Sequence, residues 1–114
     1  MIQLLSFFTY VAPASGADVL TPWMNFPADH QCAEYWVQCV SVHSGAVNLT
    51  LETSIDGIAV DGASGPTSVN TVGLTRTELT DGLGPKVRLR LAENSGGGGT
   101  VLILTVWLVP KIGG

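Results

Sequence analysis

The residues that could carry out chemistry are few, and they match no familiar catalytic pattern. Ser41, His43 and Asp56 are the types of a nucleophile, a base and an orienting acid. No nucleophile-elbow motif surrounds Ser41, and no helix-period segment follows that could support one. We therefore predict that His43 is an ordinary strand residue and that the protein is not an enzyme.

Two further groups of side chains are of metal-binding type. The first contains zinc ligands: His30, Cys32, Cys39 and His43. Their spacing, H-x-C-x6-C-x3-H, lacks the close cysteine pair of a zinc finger. The second is Asp56 and Asp61, each followed by glycine, where turn formation is a better explanation than a calcium loop. We predict no metal and no cofactor, and we expect both cysteines to be buried free thiols.

The charge content limits the possible partners. The chain has a formal net charge of −4 and only five Lys and Arg, which argues against a nucleic-acid partner. Its charged fraction is 12%, against about 25% in typical domains, so much of the surface is expected to be covered in use. Lys86, Arg88 and Arg90 share one face of a strand. This stripe is a solvated face, a salt-bridging surface for an acidic partner or, as the least favoured of the three, a contact for an anionic polymer.

The elements that must position these residues are strands. The pattern predicts strands at 34–43, 46–54, 57–60, 86–92 and 100–109, and one or two weaker strands within 69–79. Loops are predicted at 61–70 and 80–85. The glycine-rich 94–99 segment is predicted to be a hairpin connection. A phosphate-binding loop is excluded because neither Lys-Ser/Thr nor a helix follows the glycines. Short strands at this spacing predict an all-β fold, an antiparallel β-sandwich of jelly-roll or immunoglobulin-like type.

The last predicted strand has two apolar faces. Leu102, Leu104, Val106 and Leu108 alternate along one face, and Val101, Ile103, Trp107 and Val109 along the other. Only one face of a sheet meets the core of a small antiparallel fold. The other face must be covered by another segment, another subunit or a larger assembly.

The first third of the chain is less regular. Residues 1–34 are predicted to be an N-terminal arm and irregular segment, and 35–114 the β-sandwich domain. No Lys or Arg precedes the apolar run 2–11, so we interpret it as an arm or first strand rather than a signal peptide. No run reaches the roughly 20 apolar residues of a membrane-spanning helix. We expect a protein that stays in the cytoplasm where it is made and is not bound to a membrane.

Three segments together resemble a known family. They are 36–42 (WVQCVSV), 47–57 (VNLTLETSIDG) and 87–91 (VRLRL), followed by a glycine-rich link and an apolar last strand. This arrangement is similar to that of small β-sandwich proteins of tailed bacteriophages, many of which are capsid decoration (cement) proteins or minor virion components. The resemblance covers residues 35–109. It implies a structural virion protein on the capsid surface that stabilises the phage head through protein–protein contacts.

The implied partners are the major capsid protein or other virion proteins, with self-association into a dimer or trimer. The residues expected to contact neighbouring chains are apolar: Ile2, Leu4, Leu5, Phe7, Phe8, Tyr10, Trp23, Phe26, Val101, Ile103 and Trp107. The alternative is a glycan-binding or tail-fibre-associated β-sandwich module. The absence of aromatic residues from the predicted loops at 61–70, 80–85 and 94–99 argues against glycan binding.

Overall fold

The computed structural model describes residues 2–13, 17–27, 32–79, 83–93 and 100–111. No residue in these ranges is helical, which confirms the all-β prediction. The strands are β1 (Ile2–Val11), β2 (Val19–Leu20), β3 (Met24–Asn25), β4 (Cys32–Ser44), β5 (Val47–Ser54), β6 (Gly62–Val69), β7 (Gly73–Leu79), β8 (Lys86–Glu93) and β9 (Val101–Lys111).

The strands form two antiparallel sheets that pack face to face, as expected for a β-sandwich. The front sheet has the order β1-β9-β4-β7, and the back sheet has the order β2-β8-β5-β6. β3 also belongs to the back sheet, because β2 and β3 pair one after the other with β8. Val19 lies opposite Leu91, and Met24 lies opposite Val87.

The core lies between the two sheets and follows the alternation of the sequence. β5 and β8 bury Leu49, Leu51, Leu89 and Leu91, among others, while the residues between these point to the outer face of the back sheet. From the front sheet, β9 buries one complete face: Leu102, Leu104, Val106 and Leu108. Full burial of each such side chain contributes about 1.5–3 kcal/mol. The predicted inward face of the last strand is therefore confirmed.

β1 is an edge strand of the front sheet, and two irregularities interrupt its pairing with β9. The register shifts between Gln3 and Leu5 and again between Leu5 and Phe8. An extra residue turns the following side chain to the other face, which explains why the neighbours Leu4 and Leu5 are both buried. At the second bulge Phe7 has a φ of 44°, and its side chain is 67% exposed.

Most connections cross between the sheets. Of consecutive strands, β5 and β6 are direct neighbours in one sheet, whereas β4 and β5 lie in different sheets. The β4–β5 crossing turns at Gly45, whose φ is +79° and where a Cβ would clash with the side chain of Thr100. β8 and β9 also lie in different sheets, so the predicted hairpin at 94–99 is wrong. Residues 94–99 themselves lie outside the described ranges.

Two other predictions about the middle of the chain are wrong. Residues 57–59 form bends and Val60 has no regular structure, whereas most of the predicted loop 61–70 is strand β6. The sequence of β6, GASGPTSV, has little strand propensity of its own. Pairing with β5 from Val47–Val69 to Thr53–Gly62 imposes the extended conformation, because sheet context overrides local preference.

Candidate functional site

The outer face of the front sheet carries a cluster of large side chains, which we call the tryptophan face. Trp36 of β4 and Trp107 of β9 are direct cross-strand partners. Trp36 also pairs across the sheet with Arg76 of β7, and Gln38 pairs with Leu74. Paired residues of an antiparallel sheet point to the same face, about 4.5–5.5 Å apart at Cβ. The tryptophan face therefore comprises Trp36, Gln38, Leu74, Arg76 and Trp107.

Specific contacts hold the tryptophan face in place. The Arg76 guanidinium lies over the Trp36 ring, with Cζ 4.4 Å from the ring centroid. The indole Nε1–H of Trp36 donates a hydrogen bond of 2.7 Å to Oε1 of Glu34. A shallow groove of about 270 Å³ lies between Trp36, Gln38, Leu74 and Trp107. The walls of this groove are mainly apolar, and the charged Arg76 and Glu34 border it.

This arrangement is suited to binding. Tryptophan and arginine are enriched among the residues that carry most of the energy of protein–protein interfaces. Both tryptophans remain half-buried in the protomer, and Leu74 is 48% exposed. A partner surface placed on this face would therefore remove apolar area from water.

The interface residues proposed from the sequence divide into two groups. The first stabilises the protomer itself: Leu4, Leu5, Tyr10 and Phe26 are buried in the core, and Ile2 and Phe8 pack against it. β1 is hydrogen-bonded to β9 from Ile2 to Val11, so it is an integral strand of the front sheet. The hypothesis of contacts with neighbouring chains therefore rests on the second group.

That second group is spread over both sheets. Val101, Ile103 and Trp107 lie half-buried on the outer face of the front sheet, and Phe7 is exposed on β1. Trp23 lies just before β3, and Arg88 of the back sheet lies over its ring, with Cζ 4.3 Å from the centroid. The sequence argument missed Trp36, although the alternation of Tyr35, Val37 and Cys39 as inward residues already places it outward. Leu74 and Arg76 had no comparable signal.

The basic stripe is engaged within the protomer. Arg88 Nε lies 2.7 Å from Glu52 Oε1, and Arg90 Nη1 lies 3.3 Å from Glu52 Oε2. Arg90 also approaches Asp18 at 3.7 Å, and Lys86 donates to the side-chain oxygen of Asn25. The stripe is thus neither a simple solvated face nor a free row of cations. The charges of its two arginines are matched mainly by a buried carboxylate on the neighbouring strand.

The residues of the possible catalytic set are not brought together. Ser41 and His43 are exposed near the end of β4, just before the turn into β5. Asp56 follows the opposite end of β5, and eight residues of strand span about 26 Å. The structure therefore assembles no nucleophile–base–acid arrangement from Ser41, His43 and Asp56.

The two Asp-Gly sequences shape one loop, which confirms the prediction of turn chemistry. Asp56 Oδ1 accepts hydrogen bonds from the backbone N–H groups of Ile58 and Ala59, at 2.8 and 3.1 Å. Asp61 Oδ2 accepts from the N–H of Ile55 at 2.7 Å. The N–H groups of Ile58 and Ala59, with the hydroxyl of Ser54, hold the pKa of Asp56 below its usual value.

Cys39 is a buried free thiol, as predicted. Burial raises the pKa of this thiol, and the thiol donates a hydrogen bond to the carbonyl oxygen of Ser41. His30 and the side chain of Cys32 lie outside the described residues, so the zinc-ligand set cannot be assembled from the structure. Within the described ranges, no three potential metal ligands lie together.

Comparisons with known proteins add no relative. No protein family, no curated protein and no solved structure matches this chain. The parts of the chain that the structure describes contain no helix of sufficient length and apolarity to cross a membrane.

Proposed function

We propose that this chain is a structural virion protein that decorates a phage capsid and docks through the tryptophan face. In this role the protein needs contact area and a rigid scaffold, and no reaction. The partner is the major capsid protein or another virion protein. The observation that carries the proposal is the Trp36–Trp107 pair, which places two large half-buried rings side by side on the outside of a sheet.

The strand order gives support at the level of the fold. Two four-stranded sheets with the orders β1-β9-β4-β7 and β2-β8-β5-β6, joined by crossings between sheets, correspond to the order of a jelly roll, with β2 and β3 as one interrupted strand. We therefore propose the jelly-roll type over the immunoglobulin-like type. Jelly rolls occur in viral capsid proteins and in lectins, so this support is an analogy and does not by itself choose between those roles.

The electrostatics of the tryptophan face favour a protein partner. Arg76 and Glu34 border an apolar centre, an arrangement typical of interfaces with an apolar core and a polar rim. A standard stable interface buries about 800 Å² on each partner. The front sheet has four strands and can supply a surface of that size.

Glycan binding is the second candidate, and the groove beside Trp107 is the observation that favours it. Sugar-binding proteins stack pyranose rings on exposed aromatic faces. Here the Arg76 guanidinium already occupies one face of Trp36, so a sugar would have to displace it to stack there. This contact makes glycan binding the weaker of the two candidates.

The test is co-sedimentation of the purified protein with virion particles from the source of this sequence. The test variants are Trp107→Ser and Leu74→Ser, and the control is Leu20→Ser on the back sheet. Leu20 and Leu74 are both 48% exposed, so the two leucine variants lose similar apolar surface from opposite sheets. We expect wild-type protein and Leu20→Ser to sediment with the particles, and both variants of the tryptophan face to stay in solution.

The outcomes separate the candidates. Equal binding by Leu74→Ser and Leu20→Ser would remove the tryptophan face as the docking surface. If wild-type protein stays in solution with the particles but binds a glycan on an array, and Trp107→Ser abolishes that signal, the second candidate replaces the first. If neither particles nor glycans bind, both candidates fail.

A further inference from the structure

The four edges of the two sheets differ in how well they are protected against pairing with another strand. An edge strand presents unpaired backbone N–H and C=O groups, and natural proteins block such edges with bulges, prolines or interruptions. β1 carries two register irregularities. The edge formed by β2 and β3 consists of two two-residue pieces separated by a segment that contains Pro22. β6 has one irregularity and contains Pro66.

β7 has no bulge, proline or interruption, and the charged side chains that can also protect an edge are here one of each sign, Arg76 and Glu78. Its pairing with β4 is continuous from Ala33–Leu79 to Cys39–Gly73, without a register shift. Its sequence, GLTRTEL, contains no proline. Residues 73–78 are all exposed, and among the described strands β7 pairs only with β4. The open side of β7 is therefore a regular strand edge in an extended conformation, suitable for the addition of another strand.

We propose that β7 pairs antiparallel with β7 of a second copy of this chain, about a two-fold axis at Thr77. Such an axis is perpendicular to the sheet, so side chains that point outward in one copy also point outward in the other. Two identical strands paired in this way always have one residue that lies opposite the same residue of the other copy, and this central residue defines the register. The register centred on Thr77 places Arg76 of each copy opposite Glu78 of the other. Centring on Arg76 would place arginine opposite arginine, and centring on Glu78 would place glutamate opposite glutamate.

The charges of β7 therefore select both the partner and the register. Opposite charges facing each other across strands stabilise the pair, and like charges destabilise it. A strand with one cation and one anion two residues apart is self-complementary about the residue between them. An unrelated strand would need the same pattern by chance, which is why a second copy is the occupant that the charges favour.

The pairing has a structural consequence for the assembly. The front sheets of the two copies join into one continuous sheet, with β7 beside β7 at the centre. Because the axis is perpendicular to the sheet, the tryptophan faces of both copies lie on the same side. The inference about β7 does not depend on the proposed capsid docking, since purified protein alone is sufficient to test it.

The first test is a charge-swap series followed by sedimentation equilibrium. Wild-type protein is expected to reach twice the 11.9 kDa mass of one chain. Arg76→Glu and Glu78→Arg each place like charges opposite one another, and each should weaken self-association about tenfold or more. The double variant R76E/E78R restores opposite charges and should restore the dimer. Circular dichroism checks that each variant remains folded.

The second test fixes the register without changing charge. Thr77→Cys places two thiols opposite each other across the axis, at a Cα separation of about 4.5–5.5 Å, within disulfide range. Mild oxidation should link this variant into a covalent dimer. Thr75→Cys is the matched control, since Thr75 lies opposite Leu79 of the other copy and should not link.

Either of two results overturns the inference. One is a wild-type protein that remains at the mass of a single chain at the highest soluble concentration. The other is a dimer that the single charge variants leave unchanged, with Thr75→Cys linking as readily as Thr77→Cys. Failure of these tests leaves the capsid-docking proposal standing, and failure of particle binding leaves this inference standing.

Discussion

Arg88 donates from Nε to Oε1 of Glu52 at 2.7 Å across the β5–β8 pair, and the Glu52 side chain is only 4% exposed. The carboxylate lies on the outer face of the back sheet, yet it is buried. Arg90 holds its second oxygen at 3.3 Å. One carboxylate thus organises two cations from the neighbouring strand.

This relationship gives the first prediction. Glu52→Ala removes the shared anion and leaves two arginines close together, and we expect a loss of about 2 kcal/mol in the free energy of unfolding. Arg90→Ala should cost about 1 kcal/mol or less, because the Arg90 side chain is 41% exposed and its ion pair is screened by water. Urea denaturation measures both. An equal effect of the two variants would contradict a shared buried anion.

The second prediction concerns Tyr35. Its hydroxyl is buried and has no hydrogen-bond partner among the described residues. A buried donor without a partner costs free energy, so Tyr35→Phe should raise the free energy of unfolding by about 1 kcal/mol at neutral pH. Urea denaturation of wild type and variant measures the difference. A loss of stability in the variant would show that the hydroxyl has a partner.

The buried hydroxyl of Tyr35 should also make the free energy of unfolding depend on pH in the alkaline range. Burial raises the pKa of the Tyr35 hydroxyl well above its usual value. Above about pH 10 the unfolded chain releases this proton while the folded protein retains it, so stability falls as pH rises. Tyr35→Phe should make this fall shallower. Tyr10→Phe is the parallel variant, because burial also raises the pKa of Tyr10.

The third prediction concerns the loop after β5. The lowered pKa of Asp56 means that its carboxylate contributes stability above its unfolded pKa of about 3.9, and that this stability is lost as pH falls through the folded value. Asp56→Asn keeps an acceptor oxygen but removes the charge, so it should flatten the acid side of the stability profile. Asp56→Ala removes both and should also lower the melting temperature near neutral pH. Identical acid profiles for wild type and Asp56→Asn would contradict this role.

The fourth prediction tests the strained bulge in β1. Phe7 has a φ of 44°, in a region that asparagine and glycine adopt more readily than most residues and that β-branched residues avoid. Because the Phe7 side chain is mostly exposed, Phe7→Asn should leave stability unchanged or raise it by up to about 1 kcal/mol. Phe7→Val should lower stability by about 1 kcal/mol or more. Thermal melts of the pair give the comparison, and the reverse order would argue against the bulge.

The strands with strong alternation could be predicted from the sequence. β5, β8 and β9 each place an apolar residue at every second position, and these residues are buried, although the outward Thr50 and Glu52 of β5 are buried as well. β6 could not be predicted, because its small and polar residues have no apolar period, and its strand conformation comes from pairing with β5. The assignment of β8 and β9 to different sheets could not be predicted either, since the glycine-rich link between them is compatible with either connection.

The candidate site was predictable only in part. Trp107 was visible as the outward residue of an unusually apolar strand, and the same alternation identifies Trp36. Arg76 and Leu74 join them only because β7 pairs with β4 in one particular register, which local sequence does not encode. The same holds for Glu52. The alternation of β5 predicts that its side chain points outward, but its burial depends on Arg88 and Arg90, which lie more than thirty residues later in the sequence.

The pairing of β1 with β9 has a consequence for how the chain matures. Ile2 lies opposite Leu108, so β1 cannot complete its pairing until β9, almost a hundred residues later in the chain, has been synthesised. Until β9 is available, the leucines and aromatic rings of β1 cannot be buried as in the native fold. The edge of β4 that pairs with β9 is also unpaired until then. Folding of the front sheet is therefore expected to follow synthesis of β9, and to be slow relative to proteins built from local contacts.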